Sequence, residues 1–186
     1  MSDASNGTNG KTAGGGAGMA RPLFIILFLA ICAGLIGFDQ WTKVLAERFL
    51  AGRGTVRVIG DLAVLVFAQN TGAFLSLGAG LNEPMRVIGL IVLPSLLLAV
   101  AVAYFCFWQK TTIRNLALAS LLASGGFGNI IDRIFKKQVT DFLNFGIGPV
   151  RTGVMNVADL YILALVIFLV VLMFRENGKD KIKKAS

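Results

Sequence analysis

The sequence predicts a mainly α-helical polytopic membrane protein, with four transmembrane helices and a small β-rich element outside the membrane. Hydrophobic residues make up 55% of the 186 residues, and charged residues make up only 15%. Glycine contributes 22 more residues, which takes the apolar share well above the value of about 45–50% that is usual in soluble domains. Uncharged apolar runs of at least 17 residues recur, and runs of about this length can cross a bilayer.

Four apolar runs have the length of a membrane span. They cover residues 22–38, 84–108, 115–131 and 157–174. Pro84 suits the first turn of the second span, whereas Pro94 lies inside it and is expected to bend the helix or to loosen one backbone hydrogen bond. The second and third spans are joined by only six residues. The two longer links, residues 39–83 and 132–156, therefore emerge together at the opposite face.

The segments between and around the spans have distinct compositions. Residues 51–80 are expected to be β-rich, because the Val, Ile and Leu residues of Thr55–Phe67 lie on both sides of Ile59-Gly60-Asp61 and predict two short strands. Trp41–Leu50 predicts an interfacial helix or an extension of the first span. We therefore expect a small sheet that lies on the membrane over the helix ends.

The two ends of the chain are predicted to lie outside a single membrane-embedded domain of residues 21–176. Residues 1–20 are mostly Gly, Ser, Asn and Ala, a composition typical of a disordered tail. Residues 177–186 form a basic tail.

The charge distribution favours one orientation and one kind of partner. The net charge is +8, but the basic residues are scattered at the ends of apolar runs, which favours anionic lipid headgroups over nucleic acid as the counter-charge. Lys and Arg are equally numerous on the two faces, yet five of them lie in the last twelve residues. This density favours cytoplasmic N- and C-termini and places the long links on the opposite side.

The composition excludes several chemistries. Because the chain contains no histidine, it has no Ser/His or Cys/His nucleophile pair and no H-E-x-x-H zinc site. Cys32 and Cys106 both lie in apolar runs, and two thiolates are too few for a four-sulfur metal site. We interpret both cysteines as small core residues and expect neither a metal nor a cofactor.

Acidic residues are concentrated on the face of the long links. Seven of the ten lie there, and Asp132 and Asp159 lie at the ends of the third and fourth spans. A carboxylate that enters lipid is costly and is expected to face the interior of the helix bundle. Neighbouring antiparallel helices have axes about 8–10 Å apart, so we expect Asp132 and Asp159 to face each other. Two such carboxyls can act as a general acid and a general base.

Structural interpretations of the same residues stay open. Asp132 followed by Arg133 is typical of a solvated ion pair at a helix end, and Asp159 is suited to capping the last helix together with Asn156. Asp39 and Lys43 are four residues apart and match a helical ion pair. The glycines of residues 125–128 indicate close helix packing more than a phosphate-binding loop.

Four motifs in order resemble those of the lipoprotein signal peptidase family, also called signal peptidase II. They are Asp39-Gln40-Trp41-Thr42-Lys43, Asn70-Thr71-Gly72-Ala73-Phe74, Gly128-Asn129-Ile130-Ile131-Asp132-Arg133 and Asn156-Val157-Ala158-Asp159. Together they extend over nearly the whole chain except its tails. One departure is visible, since Met155 stands where the family often has Phe. Both side chains are large and apolar.

The resemblance implies an aspartic endopeptidase of the bacterial inner membrane, with its active site near the periplasmic face. Such an enzyme removes signal peptides from lipidated prolipoproteins by cutting on the N-terminal side of a diacylglyceryl-modified cysteine. By motif, Asp132 and Asp159 are the expected catalytic pair. The expected supporting residues are Asp39, Lys43, Asn70, Gly72, Asn129, Arg133, Asn156 and Ala158. The expected partners are the lipidated substrate and membrane lipid, and the chain is expected to be a monomer.

Two other functions compete with this one. A small ion- or proton-coupled transporter subunit would distribute its acids through the depth of the membrane, whereas these acids gather at one rim. A serine/lysine membrane protease would use Ser76 or Ser124 with Lys43. That mechanism requires a desolvated neutral lysine, and Asp39 one turn away favours a charged Lys43.

Overall fold

A computed structural model describes residues 18–72, 80 and 82–185, with side chains through Arg175. Four helices and four strands lie in this part of the chain. The helices are α1 (Arg21–Leu50), α2 (Glu83–Trp108), α3 (Ile113–Lys136) and α4 (Val157–Ala185), and the strands are β1 (Val56–Ile59), β2 (Ala63–Asn70), β3 (Val139–Ile147) and β4 (Val150–Arg151). The chain is therefore mainly helical with a small sheet, as the sequence predicts.

Three of these helices are long and apolar enough to cross a membrane. They are α1, α2 and the Val157–Arg175 part of α4. The large apolar side chains on their outer faces are exposed, as expected for surfaces that meet lipid. The protein is thus a membrane protein with three candidate spans. Helix α3, which corresponds to the third predicted span, has 24 residues and lies against α1, α2 and α4.

The first helix is longer than its apolar run. Residues 39–50 continue α1 without a break, so the interpretation of Trp41–Leu50 as an extension of the first span is confirmed and a separate interfacial helix is excluded. Trp41 and Phe49 are exposed on this extension. Ala46 and Leu50 lie on its other side and pack with Phe142 of β3, which attaches the sheet to the helix.

Helix α2 accommodates its internal proline with a wider turn. Residues Ile88–Val92, directly before Leu93 and Pro94, form a π-helical turn. Pro94 has no N–H to donate and its ring crowds the preceding turn, so a local π turn relieves the mismatch without breaking the helix. Pro94 therefore changes the local hydrogen-bond pattern of α2, and the change is this π-helical turn.

The sheet is antiparallel, with strand order β1-β2-β3-β4. Strands β1 and β2 confirm the predicted pair around Ile59-Gly60-Asp61. Strands β3 and β4 lie in the link of residues 132–156, where no strands were predicted. Asn70 pairs with Val139, and Ala68 pairs with Asp141, so the last residues of β2 and the first of β3 lie at the same end of the sheet.

Helix α3 is the most enclosed helix, and its glycines allow its neighbours to approach closely. A Cβ added to Gly125 would lie 2.6 Å from Ile162 Cδ1 and 2.8 Å from the carbonyl oxygen of Ala158 on α4. One added to Gly128 would lie 2.7 Å from Asp39 Oδ2 on α1. The predicted close-packing role of these glycines is confirmed.

Substituting Gly125 with alanine should destabilise the protein by about 1–3 kcal/mol, because the backbone carbonyl of Ala158 cannot move aside as a flexible side chain would. Gly34→Ala is the matched control, since Gly34 lies inside α1 and a Cβ added there would meet open space. There the change should be neutral or stabilising by up to about 1 kcal/mol. Thermal unfolding in detergent measures both variants, and equal melting temperatures would contradict the packing argument.

Other predictions concern segments that the structure describes only in part. Residues 1–17, most of the predicted N-terminal tail, lie outside the described residues, as do Ala73 and Phe74 of the second motif and Ser76. Met19 donates its backbone N–H to the carbonyl of Thr111 at 2.9 Å, which ties the start of α1 to the short α2–α3 link. Cys32 and Cys106 are buried in one apolar cluster, as expected for core residues.

Candidate active site

The first turn of α4 holds Asp159 in a reciprocal cap. The backbone N–H of Asp159 donates to Asn156 Oδ1 at 3.0 Å, and the backbone N–H of Asn156 donates to Asp159 Oδ2 at 3.1 Å. This is a capping-box arrangement, with Asn at the N-cap and Asp three residues later. Asn129 Nδ2 donates to the other oxygen, Oδ1, at 2.8 Å. Both oxygens of Asp159 are therefore held by donors.

Asp141 of β3 is joined to Asp159 through the same asparagine. Asn156 Nδ2 donates to Asp141 Oδ1 at 2.6 Å, and Asn70 Nδ2 donates to Asp141 Oδ2 at 3.2 Å. Asn156 Nδ2 also lies 3.0 Å from Asn129 Oδ1. The side chain of Asn156 is completely buried. Asn156 thus bridges the two carboxylates, with its backbone N–H on Asp159 and its side-chain NH₂ on Asp141.

The two carboxylates open into one cavity of about 320 Å³ between α2, α3, α4 and the sheet. Its polar walls are supplied by Asn70, Asn129, Arg133, Asp141 and Asp159. Its apolar walls come from α2, α3 and α4, including Leu90, Leu98 and Ile162. An apolar cavity with a few converging polar groups is the usual form of a ligand or catalytic site.

The environment of Asp141 disfavours its charged form. Burial, followed by the negative charge of Asp159, raises the pKa of Asp141 to about 6, although the hydrogen bonds from Asn156 and Asn70 act in the opposite direction. Asp141 is only 3% exposed. A carboxyl with this pKa retains a proton over a pH range in which an ordinary aspartate has lost it, so it can act as a proton donor.

Stability should fall as the pH rises through this range. The folded chain binds the Asp141 proton more tightly than the unfolded chain does, so the stabilisation is fully present below about pH 4 and is lost by about pH 6. The loss is at most about 3 kcal/mol. Melting temperatures in detergent, compared between the wild type and Asp141→Asn at each pH, measure it. Parallel curves for the two proteins between pH 4 and 7 would contradict the argument.

A second cluster of charges lies beside the cavity and is completely buried. Lys43 Nζ lies 2.8 Å from Asp39 Oδ2 and 2.9 Å from Asp132 Oδ2, and none of these three side chains is exposed. The predicted ion pair of Asp39 and Lys43 is confirmed. Lys43 also donates to Asn129 Oδ1 at 3.0 Å. We refer to Asp39, Lys43 and Asp132 as the ion triad.

The structure does not place Asp132 against Asp159, contrary to the expectation that they face each other. Asp132 pairs with Lys43 and is not among the residues that line the cavity. The reason is its direction around α3, because successive helical residues are turned by about 100°. Asn129 and Arg133, four residues apart, face the cavity, whereas Asp132 faces α1. The expected direction, towards Asp159, is therefore wrong, and Asp132 faces the lysine of α1 instead.

The ion triad touches the backbone beside each carboxylate of the cavity. Asp39 Oδ1 accepts the N–H of Ala158, the residue before Asp159, at 2.8 Å. Asp132 Oδ2 lies 3.5 Å from the N–H of Thr140, the residue before Asp141. Glu47 accepts the Thr140 hydroxyl at 2.7 Å. The triad therefore fixes the positions from which both carboxylates project.

Of the remaining predicted residues, Asn70 and Arg133 lie at the rim of the cavity, and Gly72 contacts both of them. Arg133 donates to the carbonyl of Gly72 at 2.9 Å and lies 3.4 Å from the carbonyl of Asn129. The N–H of Gly72 donates to Asn70 Oδ1 at 3.0 Å. This contact orients the Asn70 amide so that its NH₂ group points towards Asp141. Arg133 Nε is buried without a hydrogen-bond partner among the described residues.

Asp141 is the member of the site that the sequence analysis did not select. Its signal was present, because Asp141 is the one charged residue in the stretch Val139–Phe145, whose Val, Thr and Phe residues are typical of a strand. An acid within such a strand is a candidate for a functional group.

The serine/lysine alternative is not supported by the arrangement of its residues. Lys43 Nζ lies 2.8 Å from a carboxylate oxygen of Asp39 and 2.9 Å from one of Asp132. The hydroxyl of Ser124 is buried and has no hydrogen-bond partner within the part of the chain that the structure describes. A lysine base would have to contact the serine that it activates.

A helical membrane fold that holds two carboxyls at one cavity defines a membrane-embedded protease of the aspartic type. The chain belongs to the signal peptidase II family, since residues 31–175 match the family model described as "Signal peptidase (SPase) II". This match extends over most of the described domain, from the middle of α1 to the apolar part of α4.

Curated relatives and solved structures agree with this assignment. The lipoprotein signal peptidase of Treponema denticola is 40% identical over 158 residues, which cover 82% of this chain and 91% of that protein. The lipoprotein signal peptidase of Borrelia hermsii is 35% identical over 161 residues, with the same coverage. A solved bacterial membrane enzyme, determined by the in meso method at 1.9 Å resolution, has a TM-score of 0.68 and 25% identity over 81% of this chain and 94% of its own. Another, at 2.3 Å, has a TM-score of 0.69 and 23% identity, covering 84% of this chain and 92% of its own, and shows the shared fold.

Proposed function

We propose that this chain removes signal peptides from lipidated prolipoproteins, cutting on the N-terminal side of a diacylglyceryl-modified cysteine, with Asp141 and Asp159 as its catalytic pair. The observation that carries the assignment is the shared contact with Asn156, which holds both carboxylates at the wall of one cavity. Asp141 takes the place in this pair that the sequence motif suggested for Asp132. Asp132 is instead a positioning residue within the ion triad.

The different environments of the two carboxyls support a different role for each. Asp141 is enclosed and has a pKa of about 6, so it carries the proton of the pair and acts as the general acid. Asp159 lies in the first turn of α4, where the helix dipole and two N–H donors stabilise negative charge. It is therefore the carboxylate that accepts a proton from the attacking water.

The reaction balances with these two groups alone. Asp159 takes a proton from water as the hydroxide adds to the scissile carbonyl, and Asp141 gives its proton to the carbonyl oxygen. The resulting gem-diol collapses when Asp159 passes its proton to the amide nitrogen. The C–N bond then breaks, and a hydroxyl of the diol returns its proton to Asp141. Both carboxyls end in their starting states.

The rim of the cavity is suited to hold an extended peptide. Arg133 and the Asn129 and Asn70 amides surround the space beside the carboxylates. Donors at such positions can bind peptide carbonyls and keep the scissile bond aligned, where misplacement costs rate. The Asn129 amide is oriented by Lys43, which donates to its oxygen. Asn129 therefore presents its NH₂ group to Asp159.

The cavity wall on α2 supports entry of the substrate from the bilayer. Leu90, Pro94 and Leu98 of α2 line the cavity, while Leu93, Leu96 and Leu97 on the same helix are more than half exposed. A single apolar helix thus separates the site from lipid. A substrate that carries acyl chains can reach the cavity past the edge of α2 while its chains stay in the hydrocarbon region.

The proposed topology has α3 as a fourth span, with both termini in the cytoplasm. Its 24 residues extend over about 36 Å, which is enough to cross a bilayer. Because α3 is enclosed by the other helices, it can carry more polar residues than they do. The sheet and the cavity then lie at the periplasmic side of the inner membrane of a bacterium. We further propose that the chain functions as a monomer.

The direct test uses the purified full chain in detergent with a synthetic prolipoprotein segment that carries a diacylglyceryl cysteine. Cleavage on the N-terminal side of that cysteine, detected by mass spectrometry, is the expected result. The same peptide without the lipid should be cut far more slowly. Serine-directed reagents and chelators should leave the rate unchanged. Equal cleavage of the two peptides would contradict the proposed specificity, and inhibition by a chelator would contradict the mechanism.

A further inference from the structure

Two hairpin turns lie side by side at the end of the sheet away from the cavity. The first joins β1 to β2 and the second joins β3 to β4. Gly148 donates its N–H to Asp61 Oδ2 at 2.6 Å, and the N–H of Gly146 donates to the carbonyl of Leu62 at 2.9 Å. Arg151 contacts the Asp61 carboxylate at 3.2 Å and its backbone carbonyl at 2.9 Å. We call residues 58–62 and 147–150 the paired tips.

The paired tips present large apolar side chains where loops usually carry polar ones. Ile147 and Val150 are 73% and 78% exposed, and Ile59 and Leu62 are 61% and 52% exposed. The contacts between the two turns hold the segments that carry these four side chains next to each other. A cluster of exposed apolar groups marks an interaction surface. No catalytic group of the proposed mechanism lies among them.

The charges near the paired tips indicate which kind of partner binds this surface. Residues 51–62 and 145–153 contain Arg53, Arg57 and Arg151 with a single acid, Asp61. Since Asp61 is paired with Arg151, the surroundings keep an excess of positive charge. An apolar surface bordered by arginines is complementary to the headgroup region of an anionic bilayer.

We propose that the paired tips insert into the interfacial layer of an anionic lipid bilayer and act as an anchor separate from the membrane-spanning helices. The strand from Asp141 to Ile147 rises by about 20 Å at roughly 3.3 Å per residue. An anchor at this distance from the catalytic pair fixes the tilt of the sheet relative to the membrane surface. Asp141 and Asn70, at the near end of the same strands, are thereby held at a constant depth. The inference rests on the proposed topology, in which the sheet lies on the membrane.

Spin labels measure the depth of the paired tips directly. Ile147→Cys and Val150→Cys are labelled with a nitroxide in the full chain, with Cys32 and Cys106 replaced by alanine. The protein is placed in vesicles of phosphatidylethanolamine and phosphatidylglycerol. Collision rates with oxygen, which concentrates in lipid, are compared with those of a water-soluble nickel chelate. Thr55→Cys is the matched control, because Thr55 is exposed at the opposite end of the same hairpin.

The tip labels should collide with oxygen several-fold more often than with the nickel chelate, and the Thr55 label should show the reverse. Tip labels as open to nickel as the control would overturn the proposal, because the tips would then lie in water. Labels shielded from both reagents would overturn it as well, since another protein chain would then cover them.

A charged variant provides the second measurement. Ile147→Asp with Val150→Asp should expose a label at Ile59→Cys to the nickel chelate in vesicles, while cleavage of the lipidated peptide in detergent stays at the wild-type rate. Continued protection of the Ile59 label would count against insertion. Because the depth measurement needs no catalysis, it succeeds or fails independently of the proposed peptidase activity.

Discussion

Asp141→Asn is expected to lower the rate of lipidated-peptide cleavage by about 10³-fold while the protein stays folded, because the amide cannot donate and recover the proton that the reaction needs. Asp159→Asn should have an effect of the same size, since it removes the group that accepts a proton from water. The two losses should not add in the double variant, because the carboxyls act as a unit. Single-turnover cleavage in detergent, with melting temperature as the check on folding, measures all three.

Asp61→Asn is the matched control for these variants. Asp61 lies on the same sheet but borders another surface, where it pairs with Arg151. It should retain nearly full activity. A folded Asp141→Asn variant that cuts at the wild-type rate would remove Asp141 from the catalytic pair. If Asp132→Asn then lost activity without losing stability, the original assignment from the motif would be restored.

Lys43→Met is expected to cost about 3–5 kcal/mol of stability, because it leaves Asp39 and Asp132 facing each other in a dry site without a cation between them. The side-chain oxygen of Asn129 would also lose one of its two donors and keep only Asn156 Nδ2. We therefore expect a large fall in melting temperature together with a loss of cleavage. Thermal unfolding in detergent gives the first effect, and activity below the melting transition gives the second.

Lys136→Met is the control for the buried lysine. Lys136 pairs with Glu47 at 2.6 Å and lies 3.7 Å from Asp132 Oδ1, but its own side chain is about one-third exposed, so its loss should cost about 1 kcal/mol or less. Adding Asp39→Asn and Asp132→Asn to Lys43→Met should recover part of the lost stability by removing the unpaired charges. Equal destabilisation by Lys43→Met and Lys136→Met would show that burial of the ion triad has no energetic consequence.

Three of the four predicted spans coincide with helices that are long and apolar enough to cross a membrane, because each depends on a local property. An apolar run of sufficient length determines a span, and the bounds of α2 differ from the prediction by a single residue at its start. The pairing of Asp39 with Lys43 was equally local, since their four-residue spacing on a helix decides it. The hairpin of β1 and β2 was found for the same reason.

The carboxylate pair was harder to predict because it depends on strand pairing between distant segments. Asp141 reaches the site only because β3 pairs with β2, whose Asn70 is 71 positions away. The local sequence around Asp141 does not predict the pairing of β3 with β2. Asp132 presents the complementary problem. Its place near the end of α3 follows from the sequence, but the sequence does not show which neighbour of that helix it faces. Arg133 lines the cavity, whereas Asp132, one residue earlier, pairs with Lys43 of α1.

The reciprocal cap of Asn156 and Asp159 links completion of the site to assembly of the last helix. The same hydrogen bonds that begin α4 also set the geometry of the proposed base and, through the Asn156 amide, of its acid partner. Under the proposed mechanism, a chain whose last helix is not yet in place holds neither group in its working geometry. We therefore expect cleavage activity only after α4 has packed against the rest of the bundle.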